Sequence, residues 1–244
     1  MLVLINLDSA AERRHVMARQ LARFGLDFTR VGVDMRFVRA DDVDSEVHKR
    51  FPGLRFDRKA LSNAEIGCWL SHLTAWRRLL RSANATCTVI EDDLRLLPDF
   101  HAAIDALSGR PCFDIVYLGT SSRNVSRRRR IDIARYAVHE PVGVILNTWG
   151  YNITRAYAER FLGADHGTIA LPIDHYLGGR GRCVRPRIGV LQPTVLIEDP
   201  VLGTASQIGP YTRRIDRSRW FEKVRRRMMA SAVSDFYYSL YRYL

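Results

Sequence analysis

No glycine-rich phosphate loop occurs in this 244-residue chain: neither a GxGxxG fingerprint nor a Walker lysine motif is present. Any phosphate it binds must be held by something other than a cradle of loop amides. Also lacking is any run near the ~18 consecutive apolar residues that a membrane-spanning helix requires. The four cysteines, Cys68, Cys87, Cys112 and Cys183, are scattered without a CxxC pair. That points away from a zinc framework or disulfide staple and toward reduced thiols filling small core spaces. The first residues, Met1 to Leu7, carry no basic leader and no small-residue cleavage site. They read as a buried strand rather than a signal peptide, and a cytoplasmic location is the resulting expectation.

What is present is an ordinary globular composition, 47% hydrophobic and 26% charged, at a length that suits one substantial domain with a small appendage. The net charge of +12 is the outlier. Two stretches concentrate it: the block Arg127-Arg128-Arg129-Arg130, and residues 213–227, with eight Arg or Lys in fifteen positions. Such local excess draws anions, whether nucleic acid, lipid headgroups or phosphorylated substrates; solvated loops without a partner are the plainer alternative.

The hydrophobic pattern predicts a strand over 2–7, then a helix from about Ala10 to Phe24 with Asp8-Ser9 as its cap and Val16, Leu21 and Phe24 inward. A second strand follows over 27–33. Strand, helix and strand within some thirty residues is the opening of an α/β nucleotide-binding fold. Residues 34–60 read as loop with a short helix. Ser62-Asn63-Ala64-Glu65 has capping-box spacing and starts a helix of about eighteen residues. On it, Ile66, Leu70, Leu73, Arg77 and Leu80 trace one face, and Glu65, Trp69, His72 and Trp76 another. Further strands are expected over 86–90, 113–119 and 183–191, a strand pair or a strand and bend over 142–152, and a mobile loop over 120–135. Thr154 caps a helix to Leu162, and Pro172 opens a short one to Leu177. The expected division is a domain over 1–210 and a basic, aromatic helical tail over 211–244.

Three consecutive carboxylates, Glu91-Asp92-Asp93, directly follow the apolar strand 86–90. Packing unpaired charges there is costly. Ligands of α/β sheets gather at the carboxyl ends of strands. A hard divalent cation would take oxygen ligands from the carboxylates and from a substrate's phosphates. Alternation along the strand sends Glu91 and Asp93 to one side and Asp92 to the other. A solvated turn with Asp93 capping the next helix is the alternative.

The segments Asn6-Leu7-Asp8, Ala64-Glu65-Ile66-Gly67-Cys68-Trp69-Leu70-Ser71-His72, Trp76 and Ile90-Glu91-Asp92-Asp93 come in one order with Tyr117-Leu118-Gly119. Pro172-Ile173-Asp174-His175-Tyr176-Leu177, Gln192-Pro193 and Ser206-Gln207-Ile208 complete the set. Together, over about residues 2–208, they resemble glycosyltransferase family 25, the lipooligosaccharide β-galactosyltransferase family related to collagen galactosyltransferases. The chain departs from that pattern in having Ser9-Ala10-Ala11 where basic residues are frequent, and Ala64 where glycine is frequent.

The resemblance implies a GT-A-like, Rossmann-type mixed sheet flanked by helices. It also implies inverting transfer of a hexose, galactose first, from a UDP-sugar with Mn²⁺ or Mg²⁺ at a DxD-like motif. Glu91 and Asp93 would then hold the metal, with Asn6, Leu7, Arg13, Glu65, His72 and Asp92 around the donor. Inversion needs a base for the acceptor hydroxyl. Asp174, in the motif matching the family's Pro-x-Asp, is the candidate, although an acid there also favours a helix dipole. Glu198 and Asp199 are weaker candidates. Trp69 and Trp76 read as core, and Trp149-Gly150-Tyr151 as a wall of the acceptor pocket. Arg14, like Arg13, could pair with a diphosphate.

The expected partners are a UDP-sugar and a glycan or lipid-linked glycan acceptor of lipopolysaccharide type. The tail, with Trp220, Phe221, Met228 and Met229 among its basic residues, suits peripheral contact with an anionic inner membrane. Two other classes compete. A nucleic-acid binder rests on charge alone and lacks a helix-turn-helix, RNP or zinc signature. A catalytically idle relative would not need the intact acidic triplet.

Overall fold

The computed structural model describes residues 1–120, 125–145, 147–181 and 183–202. The expected tail, 211–244, lies outside them. In chain order the elements are β1 (Leu2–Ile5), α1 (Ala11–Arg23), β2 (Thr29–Val31), α2 (Val43–Arg50), β3 (Arg55–Phe56), α3 (Asn63–Leu80), β4 (Thr86–Glu91), β5 (Leu94–Leu96) and α4 (Phe100–Gly109). There follow β6 (Ile115–Tyr117), β7 (Val125–Ile133), β8 (Tyr136–Pro141), β9 (Gly150–Thr154), α5 (Arg155–Leu162), β10 (Thr168–Ile169), α6 (Ile173–His175), β11 (Ile188–Gln192) and β12 (Leu196–Glu198). A short wide turn, Tyr176–Arg180, extends α6.

Eight strands form one mixed sheet in the order β2-β1-β4-β9-β6-β11-β8-β7. Strands β1, β2 and β4 are mutually parallel, and β6 and β11 run the same way; β9 and β8 are antiparallel to their neighbours. The carboxyl ends of β1, β4 and β6 thus share one edge with the amino end of β9. Side chains alternate across the sheet as the pleat requires. Val3, Cys87 and Val89 pack with α3 and α5 residues such as Trp69, Trp76 and Phe161. Leu2, Leu4 and Ile90 pack on the other face with Met17 and Leu21 of α1 and Phe100 and Ala103 of α4. The result is a helix-covered mixed α/β sheet, the architecture expected of the sequence.

Helix α3 is the axis of the site. Its capping box is complete: Glu65 N donates to Ser62 Oγ at 3.2 Å, and Ser62 N donates to Glu65 Oε2 at 2.7 Å. The two faces drawn from the sequence are both covered, because the helix packs on β1, β2 and β4 and also on α2, α5 and α6. Ile66, Trp69, Leu70, His72, Leu73 and Trp76 are all fully buried. Gly67 sets how closely α3 approaches the chain after β2. A Cβ there would stand 2.7 Å from the Val33 carbonyl oxygen. Ser71 holds the same contact from one turn on, accepting from Val33 N at 2.9 Å.

Four expectations are corrected. Helix α1 has no side-chain cap, since Asp8 pairs with Arg30 at 2.5 Å and Ser9 accepts from Arg36 at 2.8 Å. Its buried face is Arg13, Met17 and Leu21, at i, i+4 and i+8, rather than one led by Val16. The 120–135 region holds β7, paired with β8, in place of a loop; residues 121–124 lie outside the described set. As the last strand of the sheet β7 carries its charge at an edge, where arginines discourage pairing with another chain. Exposed Arg129 and Arg130 meet Glu140 and Asp132 there, at 3.1 and 3.3 Å. Finally, within 142–152 a strand begins only at Gly150.

Candidate active site

Register brings the acidic triplet beside the end of β1. Ile5 pairs with Glu91, so Asn6 and Asp92 emerge side by side. Buried Asn6 donates from Nδ2 to Asp92 Oδ2 at 2.7 Å and to the Ala10 carbonyl at 2.9 Å. Arg13, one turn into α1, donates from Nη1 to Asp92 Oδ1 at 3.1 Å and from Nη2 to the Leu202 carbonyl at 2.7 Å. Asp92 is thus bonded at both oxygens. Burial raises its pKa, and the bonds from Asn6 and the charge of Arg13 pull the other way.

Glu91 faces α3 instead. Thr148, just before β9, donates to its Oε1 at 2.5 Å, and His72 Nε2 stands 3.4 Å from the same oxygen. Behind His72, Nδ1 lies 2.8 Å from the Tyr151 hydroxyl, to which Trp76 Nε1 also donates at 2.9 Å. Burial works against the charge on Glu91, but the His72 and Thr148 contacts and the charge of Arg13 outweigh it and lower its pKa.

Asp93 follows a turn that begins as β4 ends, so strict alternation is lost. Its Oδ2 lies 3.6 Å from the same Arg13 that serves Asp92. Its Oδ1 is buried and has no hydrogen-bond partner among the described residues. Burial, then the charges of Glu91 and Asp92, push Asp93 up to about 7. Asp174, at the start of α6, is raised too, first by burial and further by the charge of Glu91, while His175 opposes both. The influence of Glu91 puts Asp174 in the neighbourhood of the triplet, far along the sequence from it.

Each expected site residue has a definite place. Asn6, Arg13 and Asp92 bind one another. Leu7 is half-buried in the turn after β1. Glu65 completes the cap of α3, and fully buried His72 stands behind Glu91. The charge of Glu91 acts on both Asp93 and Asp174 and raises each. Asp199 accepts from Val201 N and Leu202 N in a turn, and Glu198 is exposed. Trp69 and Trp76 are core, and Arg14 is exposed.

The sequence reading missed one member of the site, Thr148, and misplaced another, Tyr151; a thiol borders them. Thr148 gives no signal, being a polar residue in an unpatterned stretch. The Tyr151 hydroxyl faces inward to His72 rather than outward to an acceptor. Cys68 stands four residues before His72 on α3, and its Sγ lies with His72 and Glu91 ligand atoms, all within 4.8 Å of one another. The i, i+4 spacing was the available signal for it.

Carboxylates gathered at the carboxyl edge of a parallel-strand core lie where ligands of α/β sheets commonly bind. Residues 1–177 match the family described as Glycosyltransferase family 25 (LPS biosynthesis protein). The chain belongs to glycosyltransferase family 25. It is similar to a Glycosyltransferase 25 family member of Anopheles gambiae, 30% identical over 184 residues, covering 71% of this chain and 30% of that protein. It is also similar to Procollagen galactosyltransferase 1 of Danio rerio, 28% identical over 184 residues with the same coverages, 71% and 30%. The chain therefore spans about 30% of the length of these curated relatives.

Proposed function

We propose that this chain is an inverting, metal-dependent glycosyltransferase that moves a hexose, galactose first, from a UDP-sugar to a glycan acceptor. The observation that carries the reading is the cluster of carboxylates at the sheet edge, with Asp93 Oδ1 buried and unbonded and the charge of Glu91 acting on it. Family membership supports transfer to a glycan. The family's description supports a lipopolysaccharide-type acceptor, while procollagen belongs to the name of an animal relative.

The donor set fits a hard divalent cation. Glu91 and Asp93 offer carboxylate oxygens, which Mn²⁺ and Mg²⁺ prefer. Asp92 is the less available of the three, since Asn6 and Arg13 bond both of its oxygens. A metal held by Glu91 and Asp93 would supply Lewis-acid neutralisation of the departing diphosphate. Thr148 fixes the rotamer of Glu91 by its 2.5 Å bond. Asn6 and Arg13 anchor the turn that presents Asp93. Asp174 takes the proton from the acceptor hydroxyl as that oxygen bonds to the anomeric carbon; the carbon–oxygen bond to UDP breaks, and its electron pair leaves with UDP. A pKa raised by burial suits a carboxylate to that exchange.

The test is UDP release and product formation across a panel of UDP-sugars with lipopolysaccharide-core glycans and a procollagen peptide as acceptors. UDP-galactose with Mn²⁺ should give the highest rate, and Asp174→Asn should lose acceptor-dependent turnover. Full activity in Asp93→Ala would sink the metal assignment.

A further inference from the structure

We infer that Cys68, His72 and Glu91 form a second cation site, selective for Zn²⁺, that competes with the donor-site metal for Glu91. Two observations carry it. The ligand atoms of the three residues lie within 4.8 Å of one another. His72 is fully buried, yet its Nε2 has no hydrogen-bond partner among the described residues.

The placement of Nε2 is the sharper of the two. It stands 3.4 Å from Glu91 Oε1, a contact that fails as a hydrogen bond. Two ligand atoms bonded to one Zn²⁺ at 2.0–2.1 Å and a tetrahedral angle are about 3.3–3.4 Å apart. The histidine and the carboxylate already have the separation that an ion between them demands. The other ring nitrogen meets the usual requirement of a metal-bound histidine. Nδ1 lies 2.8 Å from the Tyr151 hydroxyl, which can accept a hydrogen bond from Nδ1–H in the tautomer that carries its lone pair on Nε2, facing Glu91. Trp76 Nε1 donates to the same hydroxyl at 2.9 Å, and fixes it in turn.

Cys68 supplies the third ligand from the preceding turn of α3. Its Sγ has to move in by on the order of 1 Å, within reach of a χ1 adjustment. Binding exchanges the thiol proton for the metal and releases that proton to solvent. A thiolate, imidazole and carboxylate set matches borderline Zn²⁺ and disfavours Mn²⁺ and Mg²⁺. Cysteine spacing alone pointed away from zinc, because the partners of Cys68 are not cysteines.

The site stands on geometry alone, whereas its inhibitory consequence rests on the proposed function, since the two metals share Glu91. The test uses the full chain stripped of metal, titrated with Co²⁺ and with Zn²⁺ against a chromophoric chelator. Wild type should bind one equivalent and show a thiolate-to-cobalt charge-transfer band. Cys68→Ser and Cys68→Ala should lose the band and bind Zn²⁺ at least about 100-fold more weakly, and Tyr151→Phe about 10-fold. Cys112→Ser and Cys183→Ser should match wild type. A band that survives in Cys68→Ser, or is missing from wild type, overturns the site.

In the activity arm, Zn²⁺ should inhibit Mn²⁺-supported UDP release, and Cys68→Ser should keep that release while resisting Zn²⁺. Release that Zn²⁺ inhibits equally in wild type and Cys68→Ser overturns the competition. Failure of the transferase reading shows separately, as no UDP release from any donor with the cobalt band intact.

Discussion

Glu91 and Asp92 are adjacent in sequence and point to opposite faces of the sheet, into surroundings that differ in kind. On the α1 side, Asp92 meets an amide and a guanidinium, and both of its oxygens are bonded. On the α3 side, Glu91 meets a hydroxyl and an imidazole that lies too far away to bond it. One carboxylate ties β1, α1 and β4 together. The other is positioned and left with capacity to spare, as is Asp93 beside it. An acidic triplet read as one motif therefore has two parts: a structural latch at Asp92, and a pair of carboxylates, Glu91 and Asp93, that would be the ligands of the proposed metal.

That division can be broken by experiment. The largest effect belongs to the ligand pair. Glu91→Ala or Asp93→Ala should lower Mn²⁺-dependent turnover by about 100- to 1,000-fold, since a metal supplies several kcal/mol to the transition state. Thermal stability in metal-free buffer should hold or rise for Asp93→Ala. Equal loss of stability in both Asp92 and Asp93 variants would erase the distinction.

Next comes the latch. Asp92→Ala leaves Arg13 and Asn6 buried without their partner and should cost about 3 kcal/mol in denaturant unfolding. Because Asp92 makes no ligand bond, any activity lost should return as folded protein is restored at lower temperature.

A pH dependence follows from Asp93. In the folded protein it keeps its proton up to about pH 7, whereas in the unfolded chain it loses it near 4. The folded state binds more protons in that window, so stability falls as pH rises from about 4 to about 7. Melting temperatures of the metal-free protein should show this fall, and Asp93→Asn or added Mn²⁺ should flatten it. The smallest effect is expected behind Glu91. Trp76→Phe removes one donor to Tyr151 within the core and should cost about 1 kcal/mol by denaturant titration, with UDP release nearly unchanged.

Much of this was legible in the sequence where the signal is local. Ser62 and Glu65 announced α3 three residues apart, and the apolar run before Glu91 announced β4. The triplet's position after that run also led to the correct sheet edge. What the sequence hid depends on partners far along the chain. Arg13 read as a cation for a ligand, because its bond to Asp92 spans 79 residues. His72 read as one of the residues around the donor, since nothing local reveals Tyr151 behind it. The arginine block before Ile131 read as a solvated loop, because charge dominates its composition. Its place at the sheet edge, where charge and extended backbone are compatible, belongs to the tertiary structure.

Strand β9 has a consequence for how such a protein can diverge. It runs against β4 and β6, so the chain enters it at the edge where those strands leave. Of the residues before it, 142–145 and 147–149 belong to no strand, and Thr148 among them touches Glu91. Insertions there would leave the pairing of Gly150–Thr154 intact while rebuilding one wall of the pocket. The sheet and the acidic triplet act as a chassis, and this entry segment is an exchangeable part. The surroundings of Glu91 can change through it without renegotiating the fold.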